Sequence, residues 1–175
     1  KGGQDGLVIK TDSAGNKLWA KTFGGILDES LQSGIIAKNG NLILIGAAST
    51  PILYGETNAG NADFWVIEID TSGVVINSKL FGGDSFEFGT SVVEDANSYY
   101  LCGHSSSNTA TIINPSGYFD LVVFSLNKSL QLNWMKNYGG TNHEYANNLI
   151  LVSDSILYLS GDNWSTDFLS LPLDG

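Results

Sequence analysis

Disulfides, a membrane-spanning helix and a cationic face are all missing from this sequence, and each absence removes a class of function. With a single cysteine, Cys102, no internal disulfide can form, so no covalent staple holds the fold. Cys102 lies in the apolar run Tyr99-Tyr100-Leu101-Cys102-Gly103. With no cation beside it to lower its pKa, it reads as a small buried hydrophobe and not as a reactive thiol. No apolar run approaches the ~18 residues of a membrane helix. Eighteen Asp and Glu against eight Lys and Arg give a net charge of −10 and an isoelectric point near 4.3. A nucleic-acid binder needs a Lys/Arg face to displace counterions from phosphates, so that class is set aside. Solubility is the ordinary reason for such acidity. Proline is scarce, at 3, whereas glycine is abundant, at 21.

The glycines recur at fixed offsets. Taking Asp63 as origin, with Asp5, Asp120 and Asp167 as its equivalents, the position seven residues on holds Asp12, Asp70, Asn127 or Asp174. Further along each copy come Phe23-Gly24-Gly25, Phe81-Gly82-Gly83 and Tyr138-Gly139-Gly140, followed by Glu29, Glu87 and Glu144. Each copy then closes an apolar run on Gly46, Gly103 or Gly161. Repeats therefore start near residues 5, 63 and 120, with a partial one at 167, and a period of this size marks propellers and solenoids.

The apolar runs Leu7 to Lys10, Lys17 to Phe23, Leu31 to Ala37, Asn41 to Ala47, Phe64 to Ile69 and Val74 to Phe81 are short and rich in β-branched and aromatic residues. These are strand lengths, not helix lengths. Between them lie Asx- and Gly-rich turns such as Asp12-Ser13-Ala14-Gly15-Asn16 and Asp70-Thr71-Ser72-Gly73, which read as hairpin connections. The expectation is all-β, with four short antiparallel strands per repeat, the composition of a β-propeller blade.

The order of these features resembles the bacterial β-propeller repeat family common in secreted and cell-surface proteins. It is more loosely similar to the six-bladed NHL-type propeller. The features are an apolar strand, an Asn/Gly turn, a strand ending in Gly, a loop, an Asp-bounded strand, and a strand ending Trp-x-x-x-Phe-Gly-Gly. Trp19 and Trp134 keep the tryptophan, and the middle copy has Asn77 in its place. The resemblance implies that Leu31 to Ala37, Gly89 to Val93 and Ala146 to Leu151 are inner strands lining a central channel. The chain then spans about three blades' worth. It begins in the third strand of one blade (Leu7 to Lys10) and ends in the third strand of another (Phe168 to Leu173). Both terminal strands lack neighbours, so further β-propeller blades, from the same chain or another subunit, are expected to pair with them, because open apolar edges template aggregation.

Candidate sites are few. Glu29, Glu87 and Glu144, with Asp28 and Asp84, could ring a Ca²⁺ ion with hard oxygen ligands. A glutamate just after a glycine turn more often accepts backbone N–H bonds and locks the chain crossing, which is the primary expectation. The aspartate series recurs once per copy, as structural residues do. His104 and His143 fall in unrelated phases and have no zinc-ligand spacing. Two loops, Ser49 to Ala62 and Ser105 to Phe119, are long enough to be functional. They offer Pro51, Leu53 and Tyr54, and Ile112, Ile113 and Tyr118, as contacts. The short link Asp162 to Thr166 adds Trp164, which either packs on a neighbouring blade or stacks on a sugar. The leading functional expectation is a noncatalytic module of an extracellular or cell-surface protein that binds a protein or glycan and needs no cofactor. The alternative is part of a propeller lyase or hydrolase with its site at the channel mouth.

Overall fold

The computed structural model describes residues 2–108, 118–153 and 156–167. Among them every regular element is a strand. A hairpin of β1 (Gly6–Thr11) and β2 (Lys17–Phe23) comes first. A four-stranded antiparallel sheet follows, from β3 (Glu29–Ile36), β4 (Leu42–Ala48), β7 (Asp63–Ile69) and β8 (Val75–Phe81), in the order β3-β4-β7-β8. The second four-stranded sheet has the same up-and-down order, from β9 (Glu87–Glu94), β10 (Ser98–Ser105), β11 (Asp120–Asn127) and β12 (Leu132–Tyr138). Last come β13 (Glu144–Ser153) and β14 (Ile156–Asn163), paired with each other. The strand expected at Phe168 to Leu173 lies outside the described residues.

The four-strand repeat read from the glycine spacing is thus realised twice in full. Strand alternation explains how the sheets stack, because successive side chains leave a strand on opposite faces. Along β7, Phe64 and Val66 face one way and join Ile43 and Ile45 of β4 in a core shared with Leu101, Val122, Phe124 and Leu126 of the next sheet. Trp65, Ile67 and Ile69 face the other way and pack with Leu44 and Ala48 against Phe23, Val8 and Trp19 of the first hairpin. A third core joins Cys102 and Val123 to Ala146 and Leu149. Both faces of the β3-β4-β7-β8 sheet are therefore buried, and all seven residues of β7 are inaccessible. Cys102 is buried, as its apolar run implied, and burial pushes its thiol pKa up.

The turns repeat as closely as the strands. The Oδ1 of Asp12 accepts from the N–H groups of Ala14 and Asn16, and that of Asp70 from those of Ser72 and Val74. Asn127 does the same with Ser129 and Gln131. The residue three beyond each cap takes a left-handed conformation, at φ 83° for Gly15, 77° for Gly73 and 59° for Leu130. Leucine is strained there, but Leu130 is fully buried in the first core, and that burial offsets the cost.

Each hairpin turn also serves the sheet before it. Trp19 Nε1 donates to the Thr71 carbonyl (3.3 Å), and in the next repeat Asn77 Nδ2 donates to the Ser129 carbonyl (3.2 Å). Asn77 therefore keeps the inter-sheet hydrogen bond of the tryptophan it replaces, without the ring. The strand β1 pairs only with β2 among the described residues, and its Leu7 and Ile9 are more than half exposed.

The loop from Ser49 to Ala62 is not structureless. It folds into a small hairpin of β5 (Ile52–Leu53) and β6 (Glu56–Thr57), tied down by Lys79 on Glu56 (2.5 Å) and by Asn58 Nδ2 on the Ala48 carbonyl (2.7 Å). Leu53 is the residue this hairpin buries.

Phe64 is fully buried, with its ring 5.1 Å from that of Phe124 in the core between the two full sheets. Phe64→Ala is expected to cost about 3–5 kcal/mol of folding stability, measured by urea unfolding. A loss below 1 kcal/mol would show that the two sheets do not share this core.

Candidate functional site

Two sets of polar and aromatic residues meet where one sheet passes to the next. The first set recurs at every junction. In each copy the glutamate after the double glycine turns back and accepts the N–H of the second glycine. The pairs are Glu29 with Gly25 (2.6 Å), Glu87 with Gly83 (2.8 Å) and Glu144 with Gly140 (2.7 Å). The backbone N–H of the same glutamate donates to the carbonyl of the residue before the repeat's aspartate: Gln4, Ala62 or Phe119. All three glutamates are buried. They are held by separate turns, and among the described residues no group of three or more His, Cys, Asp or Glu side chains is placed to hold a metal ion.

The aspartates lie against the glutamates across the first glycine of each pair. A Cβ at Gly24 would collide with both Asp5 and Glu29, and one at Gly82 with both Asp63 and Glu87. A Cβ at Gly139 would strike Asp120. Only glycine leaves room for the two carboxyls. Gly46, Gly103 and Gly161 are required for a related reason, since a side chain there would strike the carbonyl of Ser30, Phe88 or Tyr145 on the preceding strand.

A third member of the junction was not singled out from the sequence. The hydroxyls of Thr50, Ser107 and Ser165 accept the N–H groups of Leu27 (3.0 Å), Ser85 (2.9 Å) and Asn142 (2.8 Å). A Ser or Thr at that offset in every copy was the available signal. Ser105 and Ser107 hydroxyls also donate to Glu87 Oε1.

Burial raises the Asp63 carboxyl to about 6, and the nearby Glu87 adds to the rise, against a hydrogen bond from the Ala59 N–H. Asp120 is likewise raised to about 6 by burial, with Glu144 adding to it. Asp63 Oδ1 and Asp120 Oδ1 are buried without a hydrogen-bond partner.

The second set is aromatic and is centred on the junction between the β9–β12 sheet and the β13–β14 hairpin, with Phe86 reaching it from the preceding junction. Phe86 stacks on Phe88 (6.3 Å), and Phe88 contacts both His104 (5.6 Å) and Phe119 (5.9 Å). The His104 ring meets Phe119 and Tyr145 edge-on, at 5.3 and 4.9 Å. Tyr145 lies parallel to His143, and its hydroxyl is 3.1 Å from His143 Nδ1. Tyr118 (4.8 Å) and Trp164 (5.8 Å) flank the His143 ring. The rings form one continuous cluster. It has a half-buried floor, where burial lowers His104 to about 4 and keeps it neutral. Its most exposed rings are Trp164 (64%), Tyr118 (49%) and Phe86 (42%).

The junction backbone sets these rings in place. The Glu144 N–H donates to the Phe119 carbonyl (2.6 Å), and the Trp164 N–H donates to the His143 carbonyl (2.9 Å). In the first copy the equivalent donors are Glu29 and Ser49, and the equivalent carbonyls belong to Gln4 and Asp28. Polar residues of the first repeat thus become rings in the last one, on unchanged backbone bonds, while the middle copy has Ala62, Phe86 and Ser106 at these positions. That substitution, read down the aligned copies, was the sequence signal for this surface. His104 and His143, though in different phases of the repeat, are brought into the same cluster.

Of the expected contact residues, Tyr118 and Trp164 come together here. Pro51 and Tyr54 are exposed elsewhere, with Tyr54 stacked on Trp65 at 6.2 Å. Leu53 departs from the expectation: it is 3% exposed and belongs to the core, because the β5–β6 hairpin turns it inward. Ile112 and Ile113 lie outside the described residues.

The raised Asp63 pKa fixes the sign of a pH effect. Folded Asp63 holds its proton up to about pH 6, whereas the unfolded chain releases it near the ordinary value of 3.8. Its contribution to stability is present below that ordinary value and is lost as pH rises through 6. His104 acts in the opposite direction across this window, so the comparison must be between variants. Asp63→Asn keeps an acceptor for Ala59 and is neutral at every pH. It is expected to raise the melting temperature at pH 7.5, with the gain shrinking towards pH 4.5. An equal loss at both pH values would show that the carboxyl is needed in its charged form.

No protein-family model matches the chain and no curated protein matches it.

Proposed function

We propose that the chain is a segment of a β-propeller and serves as a noncatalytic interaction module of a secreted or cell-surface protein, presenting its aromatic surface to a protein or glycan. The observation that carries this reading is the pair of exposed rings, Trp164 and Tyr118, that flank His143. Exposed apolar rings grouped together mark interaction sites, and tyrosine and tryptophan supply contact area at small entropic cost. The polar residues that recur in every copy favour a structural over a catalytic use. Glu29, Glu87 and Glu144 are engaged with glycine N–H groups, and Thr50, Ser107 and Ser165 with turn amides.

The propeller reading is supported by the up-and-down order of both full sheets, their face-to-face cores and the repeated junction. In that reading the open edge of β1 is where further blade strands pair. In the isolated chain, β1 amides that point away from β2 are expected to exchange with solvent within minutes, while those of β7 stay protected far longer. Slow exchange on both sides of β1 would contradict the open edge.

The interaction role is tested by screening the chain and its Trp164→Ala/Tyr118→Ala double variant on glycan and peptide arrays. Both residues are exposed, so the melting temperature is expected to change little while array binding falls at least tenfold. Binding that survives the double substitution would place the contact surface elsewhere.

A further inference from the structure

We propose that the aromatic surface around Trp164 and Tyr118 docks a cationic segment of a protein partner, whose lysine or arginine side chains lie on the ring faces. This rests on the interaction-module reading and names the partner's chemistry.

Charge is the first reason. The chain contains no arginine and carries a net charge of −10. Four of its eight lysines are held elsewhere: Lys10 and Lys21 on the Thr71 and Gly73 carbonyls, Lys79 on Glu56, and Lys128 on Glu94. Carboxylates border the rings instead. Asp162 is exposed and pairs with Tyr145 across the β13–β14 register, which sets both side chains on one face of that hairpin. The N–H and hydroxyl of Thr141, two residues before His143, hold Asp167 Oδ1 at 3.0 and 3.1 Å. The N–H bond above all keeps the Asp167 carboxyl below its usual range, and so ionised at neutral pH. A negative field around exposed rings attracts and orients a basic partner.

Ring geometry is the second reason. Trp164 stands at 83° to His143 and 81° to Tyr145, so the rings make a corner and not a flat platform. A corner suits a compact cation approached by more than one π-face, whereas the flat face of a sugar ring needs a plane. The chain already uses this combination internally: Lys128 Nζ sits 4.1 Å from the Tyr99 ring centroid while bonding Glu94 at 2.6 Å. Ring, cation and carboxylate occur there as a set. At the Trp164 corner the ring and the carboxylate are in place, and the cation would come from the partner.

The test is calorimetric titration of the full chain with an acetylated, amidated hexa-arginine peptide and, separately, with a neutral oligosaccharide such as cellohexaose. Hexa-arginine is expected to bind, and to bind more weakly as NaCl rises from about 50 to about 300 mM, where exposed charges are screened. Trp164→Ala and Tyr118→Ala leave the net charge unchanged, so diffuse electrostatic attraction should survive them. Each is nevertheless expected to weaken hexa-arginine binding roughly 3- to 10-fold, the range for an exposed or partly desolvated cation–π contact. Equal affinity in the parent and both variants would overturn the inference, because the attraction would then owe nothing to the rings. Trp164-dependent binding of the oligosaccharide without the peptide would also overturn it, while leaving the interaction surface itself standing. Failure of both ligands to bind would count against the surface as well as its proposed partner.

Discussion

A buried carboxylate that must be neutralised by backbone governs how these sheets are joined. A glutamate taken fully out of water is costly unless strong donors meet it, and the junction provides them in the N–H of the second glycine and, at Glu29, the N–H of Thr50. Satisfying the carboxylate fixes the double-glycine turn, and that turn fixes where the next first strand begins. The aspartate of the same copy is then trapped against the glutamate with only a glycine between them. Two like charges at that separation disfavour joint ionisation, so the junction tolerates strain from its own acids. It does so because the cores on either side are large: with both faces of a sheet buried, a modest electrostatic cost at its edge is outweighed.

Most of the fold was legible because the chain repeats. The four-strand period, the Asx hairpin caps at Asp12, Asp70 and Asn127, and the glutamate lock each occupy a fixed offset, and identical local chemistry gives identical local geometry. Legibility failed where a position depends on what lies across space. The β5–β6 hairpin is one case: the loop from Ser49 to Ala62 reads as a long connection that presents Leu53 as a contact, yet Leu53 finds a place beside the core and the loop folds around it. Leu130 is another. Its two equivalents are glycines, as a left-handed turn position prefers, and nothing local predicts a leucine whose burial in a neighbouring core outweighs its backbone strain.

The replacement of tryptophan by Asn77 shows which part of a recurring residue the fold needs. Trp19 contributes a large ring to the core beside the first hairpin and an N–H to the following turn. Asn77 retains only the donor, and its bond to the Ser129 carbonyl spans the same gap. Trp65, on the adjacent strand but facing the first hairpin, belongs to the opposite core and donates its own Nε1 to Ser78. The inter-sheet hydrogen bond is what these two copies share, and the ring is not required to make it.

The candidate site was the least legible part, and symmetry explains why. Residues that recur in every copy satisfy the needs of the backbone and so announce the architecture; a surface with a task of its own must depart from the repeat. His104 and His143 are uninformative when each is judged by sequence spacing to the other. They become informative when each is set beside its equivalents in the other copies, Ala47 and Asp162 for one, Asp28 and Phe86 for the other. The backbone bonds of the junction are held constant while Gln4, Asp28 and Ser49 give way to Phe119, His143 and Trp164. Since those bonds are made whatever the side chain, stability places little demand on the identity of the residues that bear them. Rings concentrated near one such junction, with Trp164 left largely in water, are therefore not demanded by the fold, and the proposed contact with a partner rests on that freedom.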